Sequence, residues 1–280
     1  MSHTADTPDT APTIEAPIGY LVDTGEMPVF YQSNVAGERT NFEGEREKRP
    51  MAIRNARALP NSFSLDVEGF AFVDHPTQVK DFYDDAEVAA VYNREAEALI
   101  KAHTGAARVF VFDHTRRSSS QALRETHNAR DPAGAAHTDY TDWSAAQRIK
   151  DLLPDEAETL LAKRFAIVNV WRSVAGPVEQ WPLALCDARS VDDAHLHTVE
   201  RRAYNRVGQT RHASYDAGNV WYYFPRMTRD EAVLIKNYDS AAKTLGVAPY
   251  SLHTSFEDPT SPPDAAPRES LETRCLVFFE

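Results

Sequence analysis

His137-Thr-Asp139 is the first place in this 280-residue chain where residue types and spacing suit chemistry. At an extended strand end, residues two apart turn to the same side, so one imidazole and one carboxylate can reach a single metal ion. A chain with ten histidines and 42 acidic residues produces such a pair by chance, and a loop histidine beside a capping aspartate explains the motif equally well. A second element adds weight. Tyr250-Ser-Leu-His253 lies downstream, and Arg268-Glu-Ser270 follows at the start of the last apolar run. Two histidines and one carboxylate on one face of an octahedron leave three positions open, which suits a non-haem Fe(II) that takes a bidentate cosubstrate and then O₂. Arg268 then supplies a two-pronged clamp for a distal carboxylate, and Ser270, on the same strand face, adds a donor. A zinc hydrolase uses the same ligand types without needing the arginine.

Other residues compete for places around this set. His212 also precedes an arginine, Arg226, but lies in a polar stretch, so His253 is the preferred third ligand. Arg274 shares the strand parity of Arg268 and Ser270 and is either a further binding residue or an ion-pair partner of Glu272. Asn169 and Arg172 end a strand-like run but differ in parity, so a regular strand cannot turn both inward. Tyr140, next to the metal motif, either lines the cavity or packs in the core. Tyr140, Asn169, Arg172 and Arg274 are therefore the candidate substrate-site residues.

The elements that must position these side chains read mainly as strands. Phe165–Trp171, Val220–Phe224, Ala232–Ile235 and Leu271–Phe279 are rich in β-branched or aromatic residues and bounded by turn residues, and Arg108–His114 reads similarly. Asp84 or Asp85 caps a helix in which Val88, Val91, Tyr92, Leu99 and Ile100 share one face, ending near Gly105. Further helices are expected over Ser144–Leu153 and Glu156–Lys163. Tyr20-Leu-Val and Pro28–Tyr31 flank a turn signal and suggest an opening hairpin, followed by a polar segment from Gln32 to Ala58 that crosses the surface. Residues 1–17 offer almost nothing to bury and read as a disordered tail, leaving 18–280 as a single domain. No βαβ rhythm appears, so a sandwich or jelly roll with flanking helices is expected. The stretch from Asp187 to Asn219 shows no period of 2 or 3.6 and reads as a lid loop, or as a surface excursion with a short helix near His195–Ala203.

Composition narrows the partners. A net charge of -12 repels a phosphate backbone, so nucleic acid is not expected. Neither a secretory signal nor an apolar run long enough for a membrane is present, which points to the cytoplasm. Cys186 and Cys275 fit no metal or disulfide spacing. Arginines at 201, 202, 206 and 211 can still attract an anionic small molecule locally.

An ordered set of blocks carries a resemblance. His137-Thr-Asp139-Tyr-Thr, Phe165–Arg172, Trp221-Tyr-Tyr-Phe-Pro225, Lys236-Asn-Tyr-Asp-Ser240, His253–Pro259 and Pro267–Arg274 are similar to the hydroxylase/desaturase family of fungal and bacterial secondary metabolism. The similarity runs from about Leu65 to the C-terminus. It implies a double-stranded β-helix fold, Fe(II), 2-oxoglutarate and O₂, with His137, Asp139 and His253 on the metal and Arg268 with Ser270 on the cosubstrate. Asp139 argues against the halogenase variant, which leaves that coordination position to halide. The implied activity is hydroxylation, desaturation or cyclisation of a small molecule. The rivals are an iron enzyme that uses O₂ without 2-oxoglutarate and a jelly-roll metal-binding protein or zinc hydrolase.

Overall fold

The computed structural model describes residues 11–31, 41–60, 63–203 and 206–280. Its strands are β1 (Thr13–Leu21), β2 (Val29–Tyr31), β3 (Asn41–Glu43), β4 (Arg46–Asn55) and β5 (Phe70–Asp74) before the main helix. After it come β6 (Arg108–Ser118), β7 (His137–Thr138), β8 (Phe165–Ser173), β9 (Leu183–Cys186), β10 (Leu196–Ala203) and β11 (Arg206–Ala213). The last four are β12 (Trp221–Tyr223), β13 (Glu231–Asp239), β14 (His253–Ser255) and β15 (Glu269–Phe278). A ten-stranded sheet runs β1-β4-β12-β9-β14-β7-β11-β10-β2-β3, and a five-stranded sheet runs β5-β13-β8-β15-β6.

The two sheets face each other. Trp171, Val233 and Ile235 of the smaller sheet mesh with Leu183, Leu185 and Tyr222 of the larger, which makes a jelly roll with an interior between the sheets. The expected mainly β fold with flanking helices is the fold observed. Strand β8 is buried along its whole length because its other face is covered too. There Val168 and Val170, with Leu234 and Val277, pack against Val88, Tyr92, Ala96, Leu99 and Ile100 of the helical layer. That layer starts where Asp84 accepts from the Ala86 and Glu87 amides, continues through Asn93–Thr104, and stops at Gly105 with φ 68. No helix among the described residues is long and apolar enough to cross a membrane.

Four expectations need correction. The disordered tail expected over 1–17 does not extend over Thr13–Pro17, which belong to β1, paired with β4 from Thr13↔Arg54 to Leu21↔Arg46, while residues 1–10 lie outside the described residues. Thus the segment Gln32–Ala58 is not simply a surface crossing; it contains β4, while 32–40 lie outside the described residues. The opening hairpin does not form. β1 pairs with β4, and β2 pairs with β3 and, in parallel, with β10. Finally, Asp187–Asn219 is not an irregular loop: it holds the β10–β11 ladder, Leu196↔Ala213 through Ala203↔Arg206, and β11 pairs with β7. Nor is there a helix at His195–Ala203 beyond the short 3-10 turn Asp193–His195.

Candidate metal and cosubstrate site

Register places the two histidines together. His253 of β14 stands directly across from His137 of β7, so both rings project from the same face, with centroids 4.4 Å apart. Asp139 follows two residues after His137, and ligand atoms of His137, Asp139 and His253 all lie within 4.8 Å of one another, each residue buried. The His137 Nδ1 sits 2.8 Å from the Ala135 carbonyl and the His253 Nδ1 3.4 Å from the Ser251 carbonyl. With the ring protons on Nδ1, the Nε2 lone pairs are left to face one another, as ligands to one ion require. The His253 Nε2 is buried without a hydrogen-bond partner. Burial, and then its neighbour His137, push the His253 pKa down to about 4, which keeps the ring neutral at pH 7. His212 remains outside this set. It lies across from His137 on the other side, stacked at 5.4 Å.

The carboxylate is braced from three directions. Asp139 Oδ2 accepts from Asn169 Nδ2 at 3.0 Å and from Arg274 Nε at 3.1 Å, while Oδ1 lies 3.6 Å from His137 Nε2. Oδ1 is therefore the oxygen presented to the histidines. Burial alone would raise the Asp139 pKa, but Arg274 and the two histidines hold it well below the usual carboxylate range. Arg274 is itself gripped by Asp113 at 2.7 Å and Glu272 at 2.7 Å. The β6–β15 register shifts beside it, between Arg274 and Cys275. A second irregularity, between Lys236 and Tyr238 of β13, leaves Asn237 turned to the metal motif. Its Oδ1 accepts from the Asp139 amide at 3.0 Å, and its carbonyl accepts from Thr138 Oγ1 at 3.0 Å. Bulges commonly re-aim a side chain in this way. Just beyond, Thr141 and Ser144 form a capping box that starts the helix Asp142–Leu152, fixing where the motif ends.

A small cavity connects His137 and His253 with Arg268, Trp171, Glu272 and Arg117. Arg268 is buried, stacked over Trp171 at 5.0 Å; its Nε donates to Ser270 Oγ at 3.2 Å and its Nη1 to the Trp181 carbonyl at 2.6 Å. Trp181 adopts φ 51 to present that carbonyl, a strained conformation for a bulky residue. No carboxylate hydrogen-bonds to Arg268 among the described residues, and burial, with Arg117 nearby, pushes its pKa down to about 9. A buried cation of this kind calls for a carboxylate.

The four candidate substrate residues divide differently from the expectation. Asn169 and Arg274 reach the site, but both hold the Asp139 carboxylate. Arg172 is excluded from it: on the even-numbered, outer face of β8, it bonds to Tyr92 Oη at 2.8 Å, His75 Nδ1 at 2.8 Å and the His75 and Arg229 carbonyls. Tyr140 packs among Ala145, Ile149, Phe165 and Leu276, so it is a core residue and not an open cavity wall. Asn237 and Arg117 were not singled out in the sequence. Asn237 shows in the sequence only as part of the block Lys236-Asn-Tyr-Asp-Ser240 and as a polar residue ending the run Ala232-Val-Leu-Ile-Lys-Asn237.

A jelly roll with a buried His-Asp-His set and a carboxylate-seeking arginine in one cavity defines the class of iron oxygenases that use a dicarboxylate cosubstrate. The family model described as "Oxidoreductase/YMDC permease-like domain" matches residues 18–278. The chain is 35% identical over 248 residues, 86% of each chain, to the Fe(II)/2-oxoglutarate-dependent dioxygenase nvfI of Aspergillus novofumigatus. It is 37% identical over 256 residues, 84% of this chain and 78% of the other, to the hydroxylase/desaturase CTB9 of Cercospora beticola. A solved structure titled "iron and alpha-ketoglutarate-dependent endoperoxidase NvfI" superposes with a TM-score of 0.82 at 30% identity, covering 95% of this chain and 98% of that one. The chain belongs to the Fe(II)/2-oxoglutarate-dependent hydroxylase/desaturase family and is a dioxygenase of that kind.

Proposed function

We propose that His137 and His253 through Nε2, with Asp139 through Oδ1, hold Fe(II), that Arg268 with Ser270 takes the distal carboxylate of 2-oxoglutarate, and that the protein oxidises a small secondary metabolite. The observation that carries this reading is the single cavity that joins the histidines to the buried Arg268 guanidinium. Iron with 2-oxoglutarate and O₂ supplies the oxidising power for hydroxylation, desaturation or cyclisation. The residues of this chain do the rest. Asn169 and Arg274 occupy Asp139 Oδ2 and leave Oδ1 as the donor, the Ala135 and Ser251 carbonyls orient the imidazoles, and Trp171 screens Arg268 from water. Relatives with titles such as "Aspirochlorine biosynthesis protein N" from Aspergillus oryzae support a natural-product substrate. The two buried, unpaired cysteines, Cys186 and Cys275, support a reducing, cytoplasmic setting.

The test is succinate formation from 2-oxoglutarate by the Fe(II) protein, wild type against Arg268→Ala. The variant is expected to need about tenfold to a hundredfold more 2-oxoglutarate, since a buried charge-assisted pair contributes about 1.5–3 kcal/mol, with iron affinity little changed. Iron binding without any 2-oxoglutarate consumption would favour an O₂-using enzyme that takes no such cosubstrate.

A further inference from the structure

We propose that the substrate carries a carboxylate and that Arg117 receives it inside the cavity of the metal-binding set. This inference rests on the function proposed above. Arg117 stands across from Ser270 in the β6–β15 ladder, so the two share a face, and it lines the same cavity as His137, His253, Arg268 and Glu272. Its Nη1 donates to the Asp131 carbonyl at 2.7 Å, and among the described residues no carboxylate lies within ion-pair distance of it. Glu272 lines the cavity too, with its Oε1 held by Arg274 Nη2 at 2.7 Å.

A 2-oxoglutarate molecule has two carboxylates; one belongs at the metal and the other on Arg268. Arg117 is a further guanidinium lining the same small space, engaged by no direct ion pair among the described residues, so a carboxylate from the substrate has a two-pronged partner there. It is also not isolated. Desolvation of its guanidinium, and then Arg117 itself, lower the Arg130 pKa. Burial, followed by Arg274, Arg130 and Arg117, brings that of Arg201 down to about 10. Arg117 pairs with Arg130 in an isolated parallel bridge, so two basic residues stand side by side next to the cavity in a protein of net charge -12. Such a pairing concentrates anionic ligands locally. A carboxylate held at Arg117 would tether one end of the substrate and limit which C–H bond is presented to the metal.

The experiment uses the Fe(II) protein saturated with 2-oxoglutarate under anaerobic conditions, following the visible absorption of the metal–cosubstrate complex. Benzoate and 4-phenylbutyrate are added, and in parallel their methyl esters. The acids are expected to shift the absorption without displacing 2-oxoglutarate, and the esters to do nothing. Arg117→Gln should weaken the response to the acids by about tenfold or more while binding 2-oxoglutarate as the wild type does. Arg117→Lys, which keeps the charge, should retain part of the response and stands in should the Gln variant fail to fold. Equal responses to acids and esters, no response to either, or an undiminished response in Arg117→Gln overturns the proposal. Loss of 2-oxoglutarate binding in Arg117→Gln overturns it too and assigns the residue to the cosubstrate. A wild-type protein that forms no complex with Fe(II) and 2-oxoglutarate is a different result and overturns the proposed function instead.

Discussion

Arg172 on β8 and Arg274 on β15 are both buried in the five-stranded sheet, at 0% and 8% exposure, but on opposite faces. On the outer face, Arg172 spends its donors on a tyrosine hydroxyl, a histidine ring nitrogen and two backbone carbonyls. On the inner face, Arg274 joins three carboxylates, one of them in the metal-binding set. Burial of a guanidinium is common to the two regions, so burial does not mark function. The partners do. Neutral acceptors tie a helix layer to a sheet, whereas a carboxylate network that includes a ligand sets the geometry of chemistry.

The contrast breaks most sharply at the ligands themselves. His253→Ala should abolish turnover, a loss of at least about a thousandfold, because iron loses one of three protein donors, with circular dichroism unchanged; His212→Ala should keep activity. Full activity in His253→Ala would mean that the third ligand lies elsewhere. On the outer face the effect should be on stability alone. Arg172→Ala leaves several buried acceptors unsatisfied and should cost on the order of 3 kcal/mol in urea unfolding, while the folded fraction retains its kcat. A selective loss of kcat would place Arg172 in the site after all. The mildest effect belongs to the positioning residue. Arg274→Gln should weaken Fe(II) binding by about tenfold to a hundredfold, as orienting partners of metal ligands do, measured by metal titration of the apoprotein. Unchanged iron affinity with lost stability would reduce Arg274 to the role of Arg172.

What could be read from residues alone follows the same division. The apolar strands β8, β13 and β15 and the helix capped by Asp84 announce themselves through β-branched runs and a 3.6-residue period. The convergence of His137, Asp139 and His253 was legible because two histidines and a carboxylate, followed by an arginine, form a restrictive set. Strands that bury polar or small residues were not legible. In β11 the alternating buried positions are Gly208, Thr210 and His212, so its period of 2 carries no hydrophobic signal and the segment reads as a loop. In β1, Pro17 lies opposite Pro50, and prolines argue against a strand unless it lies at a sheet edge, as β1 does. Arg172 was misread because strand parity alone does not say which face is inside, and Asn237 was missed because a bulge breaks parity altogether.

Gly19, near the start of the chain, gives the site an unexpected dependent. A Cβ built there would lie 2.0 Å from the Gly134 carbonyl oxygen, and the Ala136 amide donates to the Gly19 carbonyl at 2.8 Å. The residues leading into His137 are thus seated on an edge strand that no ligand belongs to. In terms of tolerance to change, β1 behaves as part of the neighbourhood of the candidate site: shortening the chain past it, or adding a side chain at position 19, would move His137 before it disturbed the core.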